Sequence, residues 1–406
     1  MNVRRSAAVL AATVVVAGAA PAVAASPSPS PSPSVAIPDG LFGTADPTYD
    51  GVWRQSLALL AQHTAAVEPA PKAVAWLSGQ QCADGSFAAF RADPARACAA
   101  STPVDTNSTA AAAQALAALG GHRDAVGKAV GWLKSVQNKD GGWGYTAGDA
   151  TDANSTAVVV GALVAAGERP ADVRTGGHSP DDALLKLALP CADGGAFAYQ
   201  PDAKGALTTN DDATAAAVVG ALGKGLAGDA AEPAGTAPAC ADATDAGQAA
   251  RNGAAHLAGA LAKDGHLVSA LPGAEDQPDY GNTADAVVAL ATAGHADRAA
   301  PALRWLRSHA GDWAARGGPA AWAQLVLAAH AGGADPRAFG GRDLVERLGA
   351  TGPAPERQEK KKKKKEERAA DDDGSWPGVG WLVGVGLLVG AGAGFLLSGR
   401  RKAGRS

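Results

Sequence analysis

A short unit recurs about six times between Asp39 and Gly333, and this repetition constrains the fold more than any other feature of the 406 residues. Each copy has a tight turn, then a polar loop, then a segment of small residues. The clearest copies begin at Asp84, Asp140, Asp193 and Asp264, and weaker ones begin at Asp39 and Gly311. Such repeats predict supersecondary units that stack side by side and share one hydrophobic core.

Two kinds of helix are predicted to alternate around these turns. Segments before the turns, such as 302–306, place apolar residues at helical spacing beside charged ones, which is typical of a helix with one wet face. Segments after the polar loops nearly lack charges, which is typical of buried helices. These are 110–119, 157–166, 215–222, 284–293 and 320–330. Six outer and inner helix pairs predict an all-α fold, an (α/α)6 toroid.

The first helix pair of this toroid is less complete in the sequence than the others. Its inner helix is predicted over 52–63. Its outer helix is missing or is replaced by the end of the repeat region, near 329–348.

The turns carry a recognisable family pattern. Gln80-Gln81-x-x-Asp84-Gly85-Ser86-Phe87 and Gln137-Asn138-Lys139-Asp140-Gly141-Gly142-Trp143-Gly144 resemble the Gln-Trp repeat of the prenyltransferase/squalene oxidase repeat family, which includes the terpenoid cyclases. The resemblance spans roughly residues 37–333. It implies the (α/α)6 toroid, which secreted cobalamin carriers also use. Because one fold hosts many functions, it implies little about activity.

The chain lacks most of the residues that carry out the reactions of the families it resembles. Squalene-type cyclases protonate their substrate with an Asp-x-Asp-Asp motif, and the nearest stretch here, 209–212, lacks the leading Asp. Trp53 and Trp322 are the main aromatic residues of the predicted inner helices, whereas cyclases line their cavity with aromatic rings. No cysteine or spaced histidine pair suits the zinc site of protein prenyltransferases. The sequence predicts no metal and no cofactor, and only Asp211 and Asp212 are weak catalytic candidates.

Polar residues precede the predicted inner helices. Asp, Asn, Ser and Thr commonly cap helices, because they satisfy free amide groups of the first turn. If the inner helices are parallel, these residues also meet at one rim of a central cavity, where helix N-termini favour anionic or polar ligands. The sequence leaves capping and ligand binding open. The rim candidates are Asp105, Asn107, Asp152, Asn154, Asp211, Asp212 and Asn282.

The two ends of the chain predict export and anchoring. Residues 1–25 have the basic start, apolar run and small-residue site of a secretory signal, with an uncleaved anchor as the alternative. Residues 377–397 are uncharged and long enough to cross a bilayer. The basic tail that follows predicts a cytoplasmic C-terminus. The alternative for 377–397 is a buried core helix.

The predicted organisation therefore places the body outside the cell and attaches it to the cell membrane by a single pass. A charge-rich stalk is typical of a solvated spacer, although binding to acidic wall polymer or lipid is an alternative. The predicted segments are a signal peptide (1–25), a Ser/Pro linker (26–36), the toroid domain (37–351), the stalk (352–376), the transmembrane helix (377–397) and the tail (398–406).

Four cysteines support export. An even number in an exported chain indicates disulfides, and three pairings are possible. Proximity favours Cys82–Cys98 and Cys191–Cys240, each stabilising the fold by about 3–4 kcal/mol. A metal site is the alternative, but the chain has no Cys-x-x-Cys pair.

Three functions are compatible with these features. The first is a non-catalytic surface module whose cavity captures a partner or small molecule, such as a corrinoid or isoprenoid, and hands it to an importer of a cobalamin-like vitamin. The second is an exported cyclase-like or carboxylate-dependent enzyme using Asp211 and Asp212, with Asp105 and Asp152 across the rim. The third is a structural wall module with a filled cavity. The net charge of −4 gives no indication of nucleic-acid binding.

Overall fold

The computed structural model describes residues 36–269 and 276–355, and these are mostly helical. The predicted signal segment, transmembrane segment and basic tail, with nearly all of the linker and stalk, lie outside this part. No helix within it is long and apolar enough to cross a membrane. The helices are α1 (Gly51–Thr64), α2 (Pro71–Gly79), α3 (Thr106–Leu119), α4 (Arg123–Ser135), α5 (Ala153–Ala165), α6 (Pro180–Leu187), α7 (Asp211–Ala221), α8 (Ala246–Asp264), α9 (Tyr280–Thr292), α10 (Ala296–Ala331) and α11 (Leu344–Gly349).

The helices form two concentric rings. The inner ring runs through α1, α3, α5, α7, α9 and the second half of α10, and it closes because α10 packs on α1. Helices α2, α4, α6, α8, the first half of α10 and α11 lie outside, each against its inner neighbours. The predicted mostly helical toroid is confirmed. Its core combines small and branched residues of the inner helices, such as Ala113 and Val159, with apolar residues of the turns and outer helices, such as Trp143 and Leu257.

Helix α10 supplies one outer and one inner segment without a loop between them. Gly318 has φ 70° and ψ −149°, which is not helical, and Pro319 follows it. The chain therefore turns at 318 between an outer part (296–317) and an inner part (319–331). The weak repeat predicted at Gly311 is wrong, because Gly311 lies inside the outer part and forms no turn.

The sixth outer position is filled by α11, which packs on both α10 and α1. For the first helix pair, whose inner helix is α1, the sequence left two alternatives, and the structure shows the second: the end of the repeat region replaces the outer helix. The replacing helix α11 is short.

Each Asp-Gly turn packs against the next outer helix. Gly85 and Gly141 have φ values of 98° and 94°, a region that favours glycine. A Cβ atom on Gly85 would overlap the carbonyl group of Lys128 in α4, and one on Gly141 would overlap that of Ser179, the N-cap of α6. Glycine is therefore required both by the backbone angle and by the close approach.

The glutamines of the family pattern hold the same contact. Gln81 Nε2 donates to Gly85 O at 3.0 Å and to Ala125 O at 2.8 Å, so it joins its own turn to α4. Gln137 Nε2 donates to Gly141 O at 2.7 Å and to Val173 O at 3.2 Å in the next unit. The glutamine and Asp-Gly residues of the repeat pattern therefore form the contacts between neighbouring units.

In four of the six inner helices, α3, α5, α7 and α9, a threonine holds the turn of its own unit. Its Oγ1 accepts a hydrogen bond from the backbone N–H of the residue two or three positions after the turn glycine or aspartate. The pairs are Phe87–Thr109 (2.9 Å), Trp143–Thr156 (3.1 Å), Phe197–Thr214 (2.9 Å) and Leu267–Thr283 (3.0 Å). Two of the four loops also form short antiparallel sheets, β1 (Phe87–Ala88) with β2 (Val104–Asp105), and β3 (Leu267–Ser269) with β4 (Gln277–Asp279).

Both predicted disulfides are confirmed. Cys82 pairs with Cys98 and Cys191 with Cys240, with Cα–Cα distances of 5.6 and 5.7 Å. The first bond closes a sequence separation of 16 residues and the second one of 49. Two disulfides are typical of a body that resides in an oxidising compartment, outside the cytoplasm.

Candidate functional site: the central cavity

The inner ring encloses a cavity of about 220 Å³. At a rise of about 1.5 Å per residue, its lining falls into layers along the helices. The mouth layer, in the first turns of the inner helices, contains Trp53, Asn107, Asn154 and Asp212. The middle layer contains Leu57, Val158, Ala216, Asp285 and Gln324, and the deep layer Val219, Val288 and Leu327. Polarity therefore decreases from the mouth to the deep layer, beyond which Lys224 also lines the cavity.

Helices α3, α5, α7 and α9 each follow a helix cap. Two caps, Asp105 and Asp152, are rim candidates, whereas the other two lie one residue before Asp211 and three residues before Asn282. Each cap side chain accepts a hydrogen bond from the backbone N–H three residues later. The caps are Asp105 (2.6 Å), Asp152 (2.7 Å), Asn210 (2.8 Å) and Asp279 (3.0 Å). Burial raises the pKa of Asp105 and of Asp152, although hydrogen bonds from Ser108 and Ser155 oppose the rise.

The residue two positions after a cap faces the cavity instead. Asn107, Asn154 and Asp212 occupy this position in α3, α5 and α7, and all three line the cavity. The sequence left capping and ligand binding open for all the rim candidates. In the structure, some of them cap helices and others line the cavity.

Asp211 and Asp212 point towards different partners. Asp211 Oδ1 lies 2.8 Å from His256 Nε2 on the outer helix α8. Asp212 Oδ2 accepts a hydrogen bond from Asn154 Nδ2 at 2.7 Å, at the mouth of the cavity. The two neighbouring carboxylates are therefore not brought together on one substrate.

Asn282, the last rim candidate, is not among the residues that line the cavity. It lies in the first turn of α9, where its Nδ2 donates to Asp279 Oδ2 at 2.8 Å. It thus supports the cap of its own helix.

A third carboxylate, Asp285, lies deeper in the cavity. Gln324 Nε2, on the inner part of α10, donates to Asp285 Oδ2 at 3.1 Å. Burial raises the pKa of Asp285 to about 7, and the charge of Asp212 adds to the rise. At neutral pH this carboxyl therefore exists in both its protonated and its ionised form.

Neither Asp285 nor Gln324 was predicted to have a role from the sequence. One signal could have found them, since each is a polar residue in an inner segment that otherwise consists of apolar and small residues. A buried carboxylate in such a segment is costly unless it is paired or functional.

The pKa of Asp212 is also raised. Burial is the main cause, the hydrogen bond from Asn154 opposes it, and the charge of Asp279 reinforces it. Around it the mouth has spare acceptors, because the Oδ1 atoms of Asn107 and Asn154 are buried and have no hydrogen-bond partner among the described residues.

The opposite end of the cavity is closed by residues 223–234, here called the floor segment, which follow α7. Leu226 N donates to Gln114 Oε1 at 2.8 Å, and Gln114 Nε2 donates to Val158 O at 2.9 Å. Farther along, Ala231 N donates to Ala291 O and Ala234 N to Gly294 O, both at 3.0 Å. The segment thus crosses the C-terminal ends of the inner helices.

The arrangement suits binding of a small molecule with an apolar part and a polar end. In the part of the chain that the structure describes, no group of three or more His, Cys, Asp or Glu side chains is arranged to hold a metal ion.

Comparisons with known proteins concern the fold. No family model and no curated protein matches the chain. Among solved structures, ent-copalyl diphosphate synthase from Streptomyces platensis is similar, with a TM-score of 0.47 and 19% identity over 70% of this chain and 50% of that one. A protein from Actinoplanes has a TM-score of 0.45 and 18% identity over 72% of this chain and 80% of its own. The match thus spans only half of the synthase, a terpenoid cyclase-like toroid.

Proposed function

We propose that this chain is a binding protein whose central cavity captures a small molecule outside the cytoplasm. The observation that carries the proposal is the central cavity, which has an apolar deep layer and polar groups at its mouth. Such a combination is the usual form of a small-molecule site. The open cavity counts against a purely structural module, in which side chains would fill this space.

The volume limits the ligand. Pockets for drug-sized ligands measure about 300–1,000 Å³, and this cavity measures about 220 Å³. A corrinoid is too large for it, whereas a short isoprenoid or another compact molecule is not. Delivery to a membrane importer remains part of the proposal, with a cargo smaller than a corrinoid.

The location is proposed from the sequence and the disulfides together. The signal-like residues 1–25 and the apolar residues 377–397 would export the body and attach it to the cell membrane, with the C-terminus in the cytoplasm. Two disulfides accord with a body outside.

The test is a binding panel on the full chain, read by thermal shift and isothermal calorimetry. The panel contains short-chain alcohols, carboxylic acids, amines and isoprenoid alcohols. A ligand that binds only the folded state raises the melting temperature, by linkage. Ala216→Phe, which fills the cavity, should abolish the shift. Ala262→Phe, at an exposed position of α8, is the matched control and should preserve it.

Either of two results would contradict the proposal. One is the absence of any shift or heat across the panel with a folded protein. The other is binding that Ala216→Phe leaves unchanged, since the ligand would then bind outside the cavity.

One observation favours an enzyme as the second candidate. Asp285 keeps a proton available near neutral pH, and a carboxyl group with such a pKa can act as a general acid. A cyclase-like role would need cation-stabilising rings, and Trp53 is the aromatic residue among those that line the cavity; Trp322 is buried but is not one of them. Turnover of an isoprenoid that Asp285→Asn abolishes, while binding persists, would establish catalysis.

A further inference from the structure

The polar groups that line the cavity are mainly hydrogen-bond acceptors. Asp212 and Asp285 supply carboxylate oxygens, and Gln324 and Asn154 already donate to them. The Oδ1 atoms of Asn107 and Asn154, which have no partner within residues 36–269 and 276–355, are acceptors as well. A ligand that forms hydrogen bonds with these acceptor oxygens must therefore donate them.

The charged groups of the cavity also favour a ligand that is positively charged. Lys224 is the cationic residue among those lining it, and it lies at the floor. Its Nζ is 3.9 Å from the exposed Asp229 Oδ2, so it has an ion-pair partner outside the cavity lining. The carboxyl groups of Asp212 and Asp285 therefore have no cationic partner within the described lining. Helix N-termini alone would favour an anion, but these two acidic side chains oppose that preference.

We propose that the cavity binds an organic ammonium compound, with the charged nitrogen between Asp212 and Asp285 and a compact apolar tail directed towards the floor. This inference rests on the proposed binding function and names its ligand class. Charge-assisted hydrogen bonds from nitrogen to carboxylate are among the strong ones. The Trp53 ring at the mouth adds a face on which a cation can rest.

The deep part of the cavity offers an apolar surface for the tail of this ligand. Below Asp285 the lining includes the apolar residues Val219, Val288 and Leu327. Leu226 of the floor segment lies at the end, beside Lys224. An apolar tail of a few carbons would be removed from water there. A ligand with charges at both ends would lose this stabilisation.

The experiment compares three probes of one length, hexylamine, hexanol and hexanoate, by calorimetry on the full chain. Hexylamine should bind best. Asp285→Asn and Asp212→Asn should each weaken it by about tenfold to a hundredfold, as expected when a charged hydrogen bond of about 1.5–3 kcal/mol is lost. Asp211→Asn is the matched control, because that neighbouring side chain pairs with His256 outside the cavity lining. It should leave the affinity unchanged.

Several results would overturn the ammonium assignment. If hexanol or hexanoate binds better than hexylamine, the cavity binds ligands but not this class, and the proposed function survives. If Asp211→Asn weakens hexylamine as much as Asp212→Asn does, the amine does not lie between the two cavity carboxylates. If none of the three probes binds and the wider panel is also silent, the proposed binding function fails together with the inference.

Discussion

The mouth and the floor of the cavity are constructed in different ways. At the mouth, successive units contribute the same parts, namely a cap, a residue facing the cavity and a threonine that holds the turn. At the floor, one unrepeated segment closes the opening through a few hydrogen bonds, among them Leu226 to Gln114. The repeated framework therefore distributes its stability over many equivalent contacts, whereas the floor depends on single ones.

The largest expected effect comes from the framework, at a turn glycine. Gly141→Ala should destabilise the protein by about 4 kcal/mol, because the new Cβ overlaps the Ser179 backbone and a positive φ is unfavourable as well. Gly148→Ala shares the positive φ but has open space around it, so it should cost only about 1 kcal/mol. Urea unfolding of both variants measures the difference. Equal costs would show that the close approach is unimportant.

At the floor, Gln114 is the residue whose loss should matter most. Gln114→Ala removes a buried side chain that bonds both Leu226 N and Val158 O, so a cost of about 3 kcal/mol is expected. Gln200→Ala, which removes a bond to Ala150 O at the surface, should cost under about 1 kcal/mol.

Hydrogen exchange distinguishes a local effect at the floor from a global one. If the floor depends on Gln114, the Leu226 amide should exchange faster in Gln114→Ala than global unfolding explains. Unchanged protection of this amide would show that other contacts hold the segment.

The threonines test whether the repeated units are equivalent. Thr109→Val keeps the shape of the side chain but leaves the Phe87 N–H without its acceptor in a buried site, at a cost of about 2 kcal/mol. Thr214→Val removes the same bond to Phe197 and should cost the same within about 0.5 kcal/mol. Urea unfolding of both variants is the measurement. Strongly unequal costs would argue against equivalent units.

The sequence predicted the framework because repetition supplies the same signal several times. Asp-Gly turns, alternating helix types and nearby cysteines each carry local information, and the toroid and both disulfides followed from them. The floor segment repeats nothing and has no periodicity, so its contact with Gln114 was not predictable. Side-chain direction was not predictable either. Consecutive helix residues differ by about 100° around the axis, so the register decides that Asp212 and not Asp211 faces the cavity.

Asp285 lies between mouth and floor, and its titration links the cavity to the stability of the fold. Its pKa is about 7 in the folded state against an ordinary 3.8, so between these values the folded state holds more protons than the unfolded one. The stabilisation is therefore complete below about pH 4 and is lost as the pH rises through about 7.

The variant Asp285→Asn, which cannot ionise, should reveal this linkage. Between pH 5 and pH 6.5 the wild type should lose stability relative to the variant by about 1 kcal/mol per pH unit. Other buried carboxyls with raised pKa values, such as Asp212, remain in both proteins, so their contributions largely cancel. Asp312→Asn, at an exposed position of α10, controls for the removal of one negative charge and should parallel the wild type. Urea unfolding at a series of pH values measures all three proteins. Parallel curves for the wild type and Asp285→Asn would mean that Asp285 titrates normally, because water entering from the mouth would then solvate it as well as bulk water does.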